Sequence, residues 1–461
     1  MSQTTNIGCP EGETSTVKLS AIHSSTFDAR NPQDLLFDEV LQRRESGYDV
    51  DDIVRRANQT DLHHRESVLA LVDEMASSER RKDWSYEEPD SLEEITALIN
   101  STPVAKEADS STLRDRLQAA WLGRIAGCNV GKPIEDGWRW NSSSIREYLE
   151  LANAYPLNDY IPLLDPMPTR FELRDNWPET TKGNVKGSAR DDDIDYAILT
   201  LHLLEKHGRC LKPEHVADAW LTLFPVAQVY TAERAAYINL TNGLVGDSVA
   251  RFRNPYREWI GAQIRGDVFG YVHPGDPWAA AQLSHRDASL SHVGNGIYGE
   301  MWAAALVAAA FTSANAREAI DTATRVVPPK SRLAEAIAFV IALFDGGITW
   351  EDALKRIETA YGHYSWVHTV NNAALVVAGL LWGDGDYMSS LGLTVMGGWD
   401  TDSNGATVGS VAGILVGMAG LPERLIDPLE DRTRSALFGF DNSSISNLAD
   451  RTYQLCTEGL H

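Results

Sequence analysis

The sequence predicts an all-α fold. Three observations predict it: Ala-, Leu- and Val-rich segments carry apolar residues at helical spacing, strand-like alternation is scarce, and loops containing Gly, Pro, Asn and Asp separate the segments. With 461 residues, of which 43% are hydrophobic and 23% charged, the chain is long enough to enclose a large core. Disorder along the whole chain is therefore excluded.

Composition divides the chain into three parts. Residues 1–25 are rich in Ser, Thr and Gly and are expected to form a mobile tail. Residues 26–108 show a charged pattern with helical spacing, which predicts a helical N-terminal extension. A Ser/Thr/Asp stretch beginning at Asp109 then caps a much more apolar segment. The main domain is accordingly predicted over residues 109–461.

Ten helices are predicted in the main domain from the spacing of apolar residues. They cover residues 113–130, 193–207, 213–230, 277–291, 298–312, 316–325, 331–345, 350–361, 370–383 and 403–419. Residues 136–190 contain many Trp, Pro, Asn and Asp residues and are predicted to form a long irregular loop, a feature that is often functional. Its residues Trp138, Trp140 and Trp177 could rim an open cleft or form a hydrophobic plug.

The charge and the cysteines exclude several classes of protein. Lys and Arg total 41 against 65 Asp and Glu, a net charge of −24 that repels nucleic-acid phosphates and anionic lipid. No apolar run reaches the roughly 20 residues that span a bilayer, and the N-terminus does not resemble a signal peptide. The four cysteines are scattered without a CxxC pair, so a disulfide framework is not indicated. We expect a cytoplasmic protein without nucleic-acid or membrane partners.

Two predicted helices carry glycine at every fourth position. The glycines are Gly123, Gly127 and Gly131 in one helix and Gly405, Gly409, Gly413 and Gly417 in the other. Each glycine in a helix interior costs about 1 kcal/mol relative to alanine, so the stripes indicate that neighbouring backbones approach closely. Packing of these two helices against each other would bring together the acidic residues at their ends.

Two acidic segments lie at predicted helix starts. Residues 191–195 read Asp-Asp-Asp-Ile-Asp, and residues 397–404 read Gly-Gly-Trp-Asp-Thr-Asp-Ser-Asn. Acidic residues at a helix N-terminus can simply stabilise the helix dipole, but alternate aspartates in a glycine-led turn can also hold a hard cation. Neither segment has the EF-hand pattern. Oxygen ligands favour Mg²⁺, with Mn²⁺ or Ca²⁺ as alternatives, and the number of carboxylates makes a two-ion site reasonable.

Three separated motifs together resemble the ADP-ribosylglycohydrolase family. They are Leu117–Gly127 with Gly131-Lys132-Pro133-Ile134-Glu135, the Asp191–Asp195 run, and Gly398-Trp399-Asp400-Thr401-Asp402-Ser403. The resemblance covers about residues 113–425. It implies a compact, orthogonal bundle of many helices with a dinuclear Mg²⁺ centre that grips the ribose diol of the substrate.

The resemblance also implies roles for individual residues. The implied metal ligands are Glu135, Asp191, Asp192, Asp193, Asp400, Asp402 and Ser403, and the implied catalytic residues are Glu135, Asp193 and Asp402. Asp191 and Ile194 stand where the family motif has threonines, and Ser403 replaces a threonine but keeps the hydroxyl. Trp399 departs from the family pattern beside the ligands and is expected, like Asn404, to contact the substrate.

Three further segments resemble known binding motifs or combine groups that could bind a ligand. Residues 291–299 contain Gly-x-Gly-x-x-Gly, but no strand precedes them; a substrate loop at a helix N-terminus, with His292, Asn295 and Gly296 as contacts, is the better interpretation. Residues 127–133 resemble a truncated P-loop that lacks the Mg²⁺-binding hydroxyl, and this interpretation is rejected. Residues 361–372 combine aromatic, imidazole and amide groups, which suit either stacking on a base or sugar or a capped helix start.

The sequence therefore predicts a Mg²⁺-dependent hydrolase that cleaves a glycosidic bond to ribose, most simply removing ADP-ribose from a modified side chain or small molecule. One alternative is hydrolysis of another furanoside, a nucleoside or a pentose-containing saccharide, because the departures at Asp191, Ile194 and Trp399 lie at the pocket. A second alternative is a non-catalytic binding or structural relative. The acceptor group, the oligomeric state and the role of residues 1–110 stay open.

Overall fold

A computed structural model of the chain describes residues 31–460, and the predicted mobile tail lies outside them. Four helices form the N-terminal part: α1 Pro32–Glu45, α2 Asp51–Ala57, α3 Arg65–Glu74 and α4 Leu92–Leu98. α1 begins where the side chain of Asn31 accepts a hydrogen bond from the backbone N–H of Gln33 at 3.1 Å, with Pro32 at the first helical position. Apolar residues between Leu35 and Met75 form a small hydrophobic cluster of their own.

Eighteen further helices follow within the described residues. They are α5 Ser110–Gly131, α6 Ser142–Leu151, α7 Trp177–Thr180, α8 Asp192–His207, α9 Pro213–Leu223, α10 Thr231–Thr241, α11 Ser248–Arg251, α12 Asp267–Tyr271, α13 Pro277–Ala288, α14 Asn295–Ala310, α15 Ala316–Ala323, α16 Arg332–Asp345, α17 Trp350–Tyr361, α18 Thr369–Trp382, α19 Tyr387–Met396, α20 Thr401–Val416, α21 Glu423–Ile426 and α22 Ile445–Glu458. Across residues 31–460, the strands are β1 Arg432–Thr433 and β2 Ser443–Ser444, which pair antiparallel. The predicted all-α fold is confirmed.

The core of the main domain surrounds two apolar helices. Every residue of α14 is buried, and all but the last residue of α18 is buried. A helix that is apolar on all sides is stable in water only when other helices cover it completely. α13, α15, α16 and α20 provide part of that cover.

Helices α5 and α20 pack against each other in antiparallel orientation along their glycine stripes. Gly123 faces Gly409, Gly127 faces Gly405, and Gly131 faces Thr401. At the last of these contacts, the Thr401 hydroxyl donates to the Gly131 carbonyl oxygen at 2.8 Å. The C-terminal end of α5 is therefore held beside the N-terminal end of α20.

Several predicted boundaries differ from those observed. The helix predicted over 213–230 ends at Leu223, because Pro225 cannot continue the backbone hydrogen bonds. The segment 136–190, predicted as irregular, contains the ten-residue helix α6. Helices α10, α19 and α22 were not among those predicted. Among the described residues, no helix combines the length and the apolar character needed to cross a bilayer.

Candidate functional site

A cleft of about 390 Å³ opens where the starts of three helices, α8, α10 and α20, meet the end of α5. Its wall is completed by the segments before α7, α12 and α18. The lining residues are Lys132, Glu135, Arg174, Arg190, Asp192, Asp193, Tyr230, Thr231, Glu233, Arg234, Trp259, Ile260, Gly261, Ile264, Trp366, Val367, Asp400, Asp402 and Ser403. Both predicted acidic segments thus contribute to one cavity.

The first acidic segment is divided between the cleft and the protein interior. Asp191 is the N-cap of α8, and its Oδ1 accepts a hydrogen bond from the backbone N–H of Asp193 at 2.8 Å. Asp192 and Asp193 line the cleft. Asp195 points elsewhere, because its carboxylate binds Arg190 and the Ser435 hydroxyl, and Ile194 is fully buried in the core. Part of this acidic run is therefore structural.

The second acidic segment follows a left-handed turn. Gly398 has φ +81°, and Trp399 has φ +57°, a conformation that is strained for a residue with a side chain. The turn places Asp400 at the N-cap of α20, where its side chain makes no capping hydrogen bond. Because its carboxylate is not used for capping, it is available to the cleft.

The two segments are joined by a direct hydrogen bond. The Ser403 hydroxyl donates to Asp193 Oδ2 at 2.9 Å. The other oxygen, Asp193 Oδ1, is buried and accepts no hydrogen bond, while Arg124 lies 3.5 Å from it. A buried carboxylate oxygen without a hydrogen bond is costly, and coordination of a cation would satisfy it.

Three carboxylates from the ends of α5 and α20 converge within the cleft. One oxygen of each of Glu135, Asp400 and Asp402 lies within 4.8 Å of the others. Burial and the neighbouring Asp402 together raise the pKa of Glu135 to about 8, although Lys132 and Arg174 oppose the shift. Burial, Asp402 and Glu135 likewise raise the pKa of Asp400. Such a crowded set of hard oxygen ligands fits a divalent cation, which would relieve their mutual repulsion.

A second group of potential ligands shares Asp402 with the first. It consists of Asp402, Asp191 and the buried Cys128. Lys132 reaches this group: its Nζ donates to Asp191 Oδ2 and lies 3.5 Å from Asp402 Oδ2. Burial lowers the pKa of Lys132, but Asp402 and Glu135 raise it by more, so the pKa lies above the usual lysine value.

Basic side chains also line the cleft, close to the acidic ones. Arg174, Arg190 and Arg234 all contribute to its wall. Arg174 lies 3.7 Å from Glu135, and its side chain is about half exposed. Arg190 bridges Asp195 at 2.7 Å and the Gln228 carbonyl oxygen at 2.9 Å, which fixes its position. The cleft therefore combines carboxylates that could hold a cation with guanidinium groups that could contact an anion.

Aromatic rings complete the wall. Tyr230, Trp259 and Trp366 line the cleft. In the segment 361–372, the structure confirms the capped helix start, and stacking on a base or sugar stays a prediction. His368 caps α18, with its Nδ1 accepting from Val370 N at 3.2 Å, whereas Trp366 faces the cleft. Of the Trp138, Trp140 and Trp177 set, none is among the lining residues, and Trp140 is buried against Phe171.

One predicted substrate contact, His292, lies behind the cleft wall. Its Nε2 is 3.9 Å from Glu233 Oε1, and its Nδ1 is 2.8 Å from the Ser291 hydroxyl. Burial, with the nearby Arg265, lowers the pKa of His292 far below its usual value, so the ring is neutral. Glu233 lines the cleft and binds Arg265 at 2.6 Å; burial raises its pKa to about 7, although Arg265 opposes the shift.

The structure does not bring Asn295 and Gly296 into the cleft either. The Asn295 amide donates to Glu88 and Glu258, and its oxygen accepts from the backbone N–H of Leu333. A Cβ on Gly296 would lie 2.6 Å from the Arg257 carbonyl oxygen, so this glycine serves close packing. The motif at residues 291–299 does contain a helix start, that of α14, but this start faces the N-terminal part of the chain and not the cleft.

The remaining two predicted substrate contacts, Trp399 and Asn404, support the turn that precedes α20. Trp399 is half-buried, packs on the hydrophobic core and is not among the lining residues. Asn404 Nδ2 donates to Asn372 Oδ1 at 2.7 Å, and the same oxygen accepts from the Asp400 backbone N–H at 3.2 Å. The Asn372 side chain therefore fixes the backbone of Asp400, and Asn404 fixes the Asn372 side chain.

Comparison with known proteins agrees with this architecture. A family model described as ADP-ribosylglycohydrolase matches residues 109–460. A solved structure described as an ADP-ribosylglycohydrolase-related protein complex is 18% identical in sequence, and the similarity covers 75% of this chain and 99% of the other, with a TM-score of 0.41. Among curated proteins, none matches the chain significantly.

Proposed function

The chain belongs to the ADP-ribosylglycohydrolase family, and on this premise we propose that it is a Mg²⁺-dependent hydrolase that removes ADP-ribose from a modified side chain or small molecule. One observation carries the proposal: a single cleft is lined both by convergent carboxylates and by three arginines, Arg174, Arg190 and Arg234. The substrate class has the same two features, a ribose whose hydroxyls can bind a cation and a pyrophosphate that carries negative charge.

The cation would be held by Glu135, Asp400 and Asp402, with Asp192 and Asp193 beside them. Bound there, a divalent ion supplies positive charge that stabilises negative charge developing on oxygen during hydrolysis. Ser403 fixes the Asp193 carboxylate, and Asn372 fixes the Asp400 backbone, so the ligands are positioned before substrate arrives. Glu135, which is partly exposed to the cleft, is the group proposed to accept a proton from the attacking water.

The arginines favour ADP-ribosyl substrates over simple furanosides. Guanidinium groups bind phosphate oxygens through charge-assisted, often bidentate hydrogen bonds. Trp259 and Trp366 provide apolar faces on the same wall, suited to stacking on a nucleobase or covering a sugar. A neutral furanoside has no phosphate oxygens for these guanidinium groups to bind. The cleft therefore supports the ADP-ribosyl hypothesis more strongly than the furanoside alternative.

The test is product analysis with the purified chain and Mg²⁺. ADP-ribosylated peptides bearing different acceptor side chains, free ADP-ribosyl small molecules, nucleosides and pentose saccharides are compared, with Asp402→Asn as the inactive reference. Release of ADP-ribose by the wild-type chain, and not by the variant, is expected. Hydrolysis of nucleosides or saccharides alone would favour the furanoside alternative, and inactivity on the whole panel would favour a binding protein.

A further inference from the structure

We infer that the Lys132 ammonium takes the place of one of the two cations that the family resemblance implies, so that this chain binds a single divalent ion. The inference rests on the proposed divalent-cation site and specifies its composition. It comes from two facts: the potential ligand atoms form two groups that share Asp402, and a lysine side chain contacts both groups, with its closest contact to Asp191 of the second.

The two groups have the arrangement of a dinuclear centre. Glu135, Asp400 and Asp402 form one group, and Asp191, Asp402 and Cys128 form the other. Because Asp402 belongs to both groups, it would contribute to both sites of a two-ion centre of the kind that the resemblance implies. The two groups therefore define two candidate cation positions, a first at Glu135, Asp400 and Asp402 and a second at Asp191, Asp402 and Cys128.

Lys132 makes its closest carboxylate contact in the second group, with Asp191. Its Nζ donates to Asp191 Oδ2, and it is 3.5 Å from Asp402 Oδ2 and 3.8 Å from Glu135 Oε2. The side chain is only 10% exposed, and its backbone is fixed between the end of α5 and Pro133. An ammonium group is a compact point charge with three donors, so it can satisfy several carboxylates at once.

The second group is also poorly suited to a further hard cation. Its third member, Cys128, is a buried thiol, and sulfur is a soft ligand that Mg²⁺ does not favour. Without Cys128, the group offers only two carboxylates, and one of them already binds Lys132. A second divalent ion would meet the positive charge of Lys132 at close range.

The experiment counts bound Mn²⁺, used as a paramagnetic substitute for Mg²⁺. The full chain is dialysed to equilibrium against Mn²⁺, the bound metal is measured by elemental analysis, and the electron paramagnetic resonance spectrum is recorded. Wild-type protein is expected to bind one Mn²⁺ per chain with the spectrum of an isolated ion. Lys132→Met, which keeps the length of the side chain and removes its charge, is expected to bind two ions with an exchange-coupled spectrum.

The matched control is Lys355→Met, since Lys355 is exposed on α17. It is expected to bind one ion, as the wild type does. Two ions in the wild-type chain, or one in Lys132→Met, would overturn the inference while leaving the proposed cation site intact. No bound Mn²⁺ in the wild type and in Lys132→Met would overturn the proposed cation site, and the inference with it. If Lys132→Met does not fold, the wild-type stoichiometry and spectrum alone decide.

Discussion

The carbonyl oxygen of Gly127 lies 2.5 Å from the point where a Cβ atom would stand on Gly405. A methyl group at this position would clash with backbone that belongs to the facing helix and cannot rotate away. Gly405→Ala is therefore expected to destabilise the fold by about 1–3 kcal/mol, as overpacked cores do. Chemical denaturation measures the free energy of unfolding.

Gly346→Ala is the matched control for this packing prediction. At Gly346, φ is −75°, and the nearest atom to an added Cβ is the Ala342 carbonyl oxygen at 3.2 Å. The control is expected to change the free energy of unfolding by less than about 1 kcal/mol in either direction. Equal effects of the two substitutions would show that the glycine stripe is not needed for close packing.

Asp402 belongs to both potential ligand groups. Replacement of residues that merely orient metal ligands commonly lowers metal affinity by about 10–100-fold, so Asp402→Asn is expected to lower Mg²⁺ affinity by more than about 100-fold and to abolish hydrolysis. Isothermal titration calorimetry and an activity assay measure these effects, with circular dichroism to verify folding. Asp218→Asn, at an exposed position of α9, is the control. A folded Asp402→Asn variant with wild-type affinity and turnover would contradict the assignment.

Arg174 is half exposed in the cleft wall. If it binds the pyrophosphate, Arg174→Ala removes a charge-assisted hydrogen bond and raises the KM for ADP-ribosyl substrates about tenfold, with a smaller effect on kcat. Steady-state kinetics with wild type, Arg174→Ala and the exposed control Arg356→Ala separate the two constants. A fall in kcat with an unchanged KM would instead indicate that Arg174 acts through Glu135, 3.7 Å away.

Glu45, at the end of α1, is predicted to make stability fall with rising pH. Burial raises its pKa to about 8, with Glu258 and Asp38 adding to the shift and Arg332 opposing it. Because the folded chain holds this proton more tightly than the unfolded chain, the contribution is fully present below about pH 4.5 and is lost as pH rises through about 8. The maximum slope is about 1.4 kcal/mol per pH unit.

The comparison of Glu45→Gln with wild type isolates this contribution. Urea denaturation at pH 6 and pH 8.5 is expected to show a smaller loss of stability in the variant than in the wild type. Glu66→Gln, at an exposed position of α3, serves as the control and is expected to follow the wild type. Identical pH dependence in all three proteins would contradict the assignment to Glu45.

Deletion of residues 1–105 is expected to give an insoluble or unfolded chain. Helix α1 and the segment between α3 and α4 provide partners for buried cations: Glu39 binds Arg257 at 2.7 Å, and Glu88 binds Arg332 at 2.9 Å. Removing one member of a buried pair costs about 3–5 kcal/mol, because the other charge stays buried alone. Soluble yield and thermal denaturation test the expectation, and a soluble, active truncated protein would contradict it.

The substitution Glu39→Gln tests the stabilisation by one of these buried ion pairs separately. Glu39→Gln leaves the Arg257 guanidinium, which is 6% exposed, without its carboxylate partner. The variant is expected to be less stable than Glu66→Gln, which alters an exposed carboxylate of the same helical region. Similar stability of the two variants would show that the Glu39–Arg257 contact contributes little.

The fold was largely predictable because its signals are local. The end of α5 and the start of α20 follow from apolar spacing and from glycine at every fourth residue, and the two helices pack where the stripes predict. Pro225 is also a local signal: because proline cannot continue the backbone hydrogen bonds of a helix, it indicates that α9 ends before residue 225. The missed helix α10 has no comparably strong apolar pattern.

The basic and aromatic parts of the cleft were not predictable in this way. Arg174, Arg190 and Arg234 are isolated in sequence, and only the tertiary fold brings them to one cavity. His292 and Asn295 show the reverse case: they have the composition of a substrate loop, but the fold uses their hydrogen bonds inside the protein. Lys132 could have been suspected, because it stands three residues before Glu135 in the motif that carries the resemblance.

The packing of α5 on α20 has a consequence for the order of events during synthesis. The Thr401–Gly131 contact joins residues 270 positions apart, so the ribosome releases Glu135 long before Asp400 and Asp402 exist. A nascent chain can form α5 and α8, but it cannot offer the complete set of carboxylates until residue 402 of 461 has been added. If the set binds a cation as proposed, the ion can bind only after α20 has packed on α5, so its binding would report that the two ends of this long contact have come together.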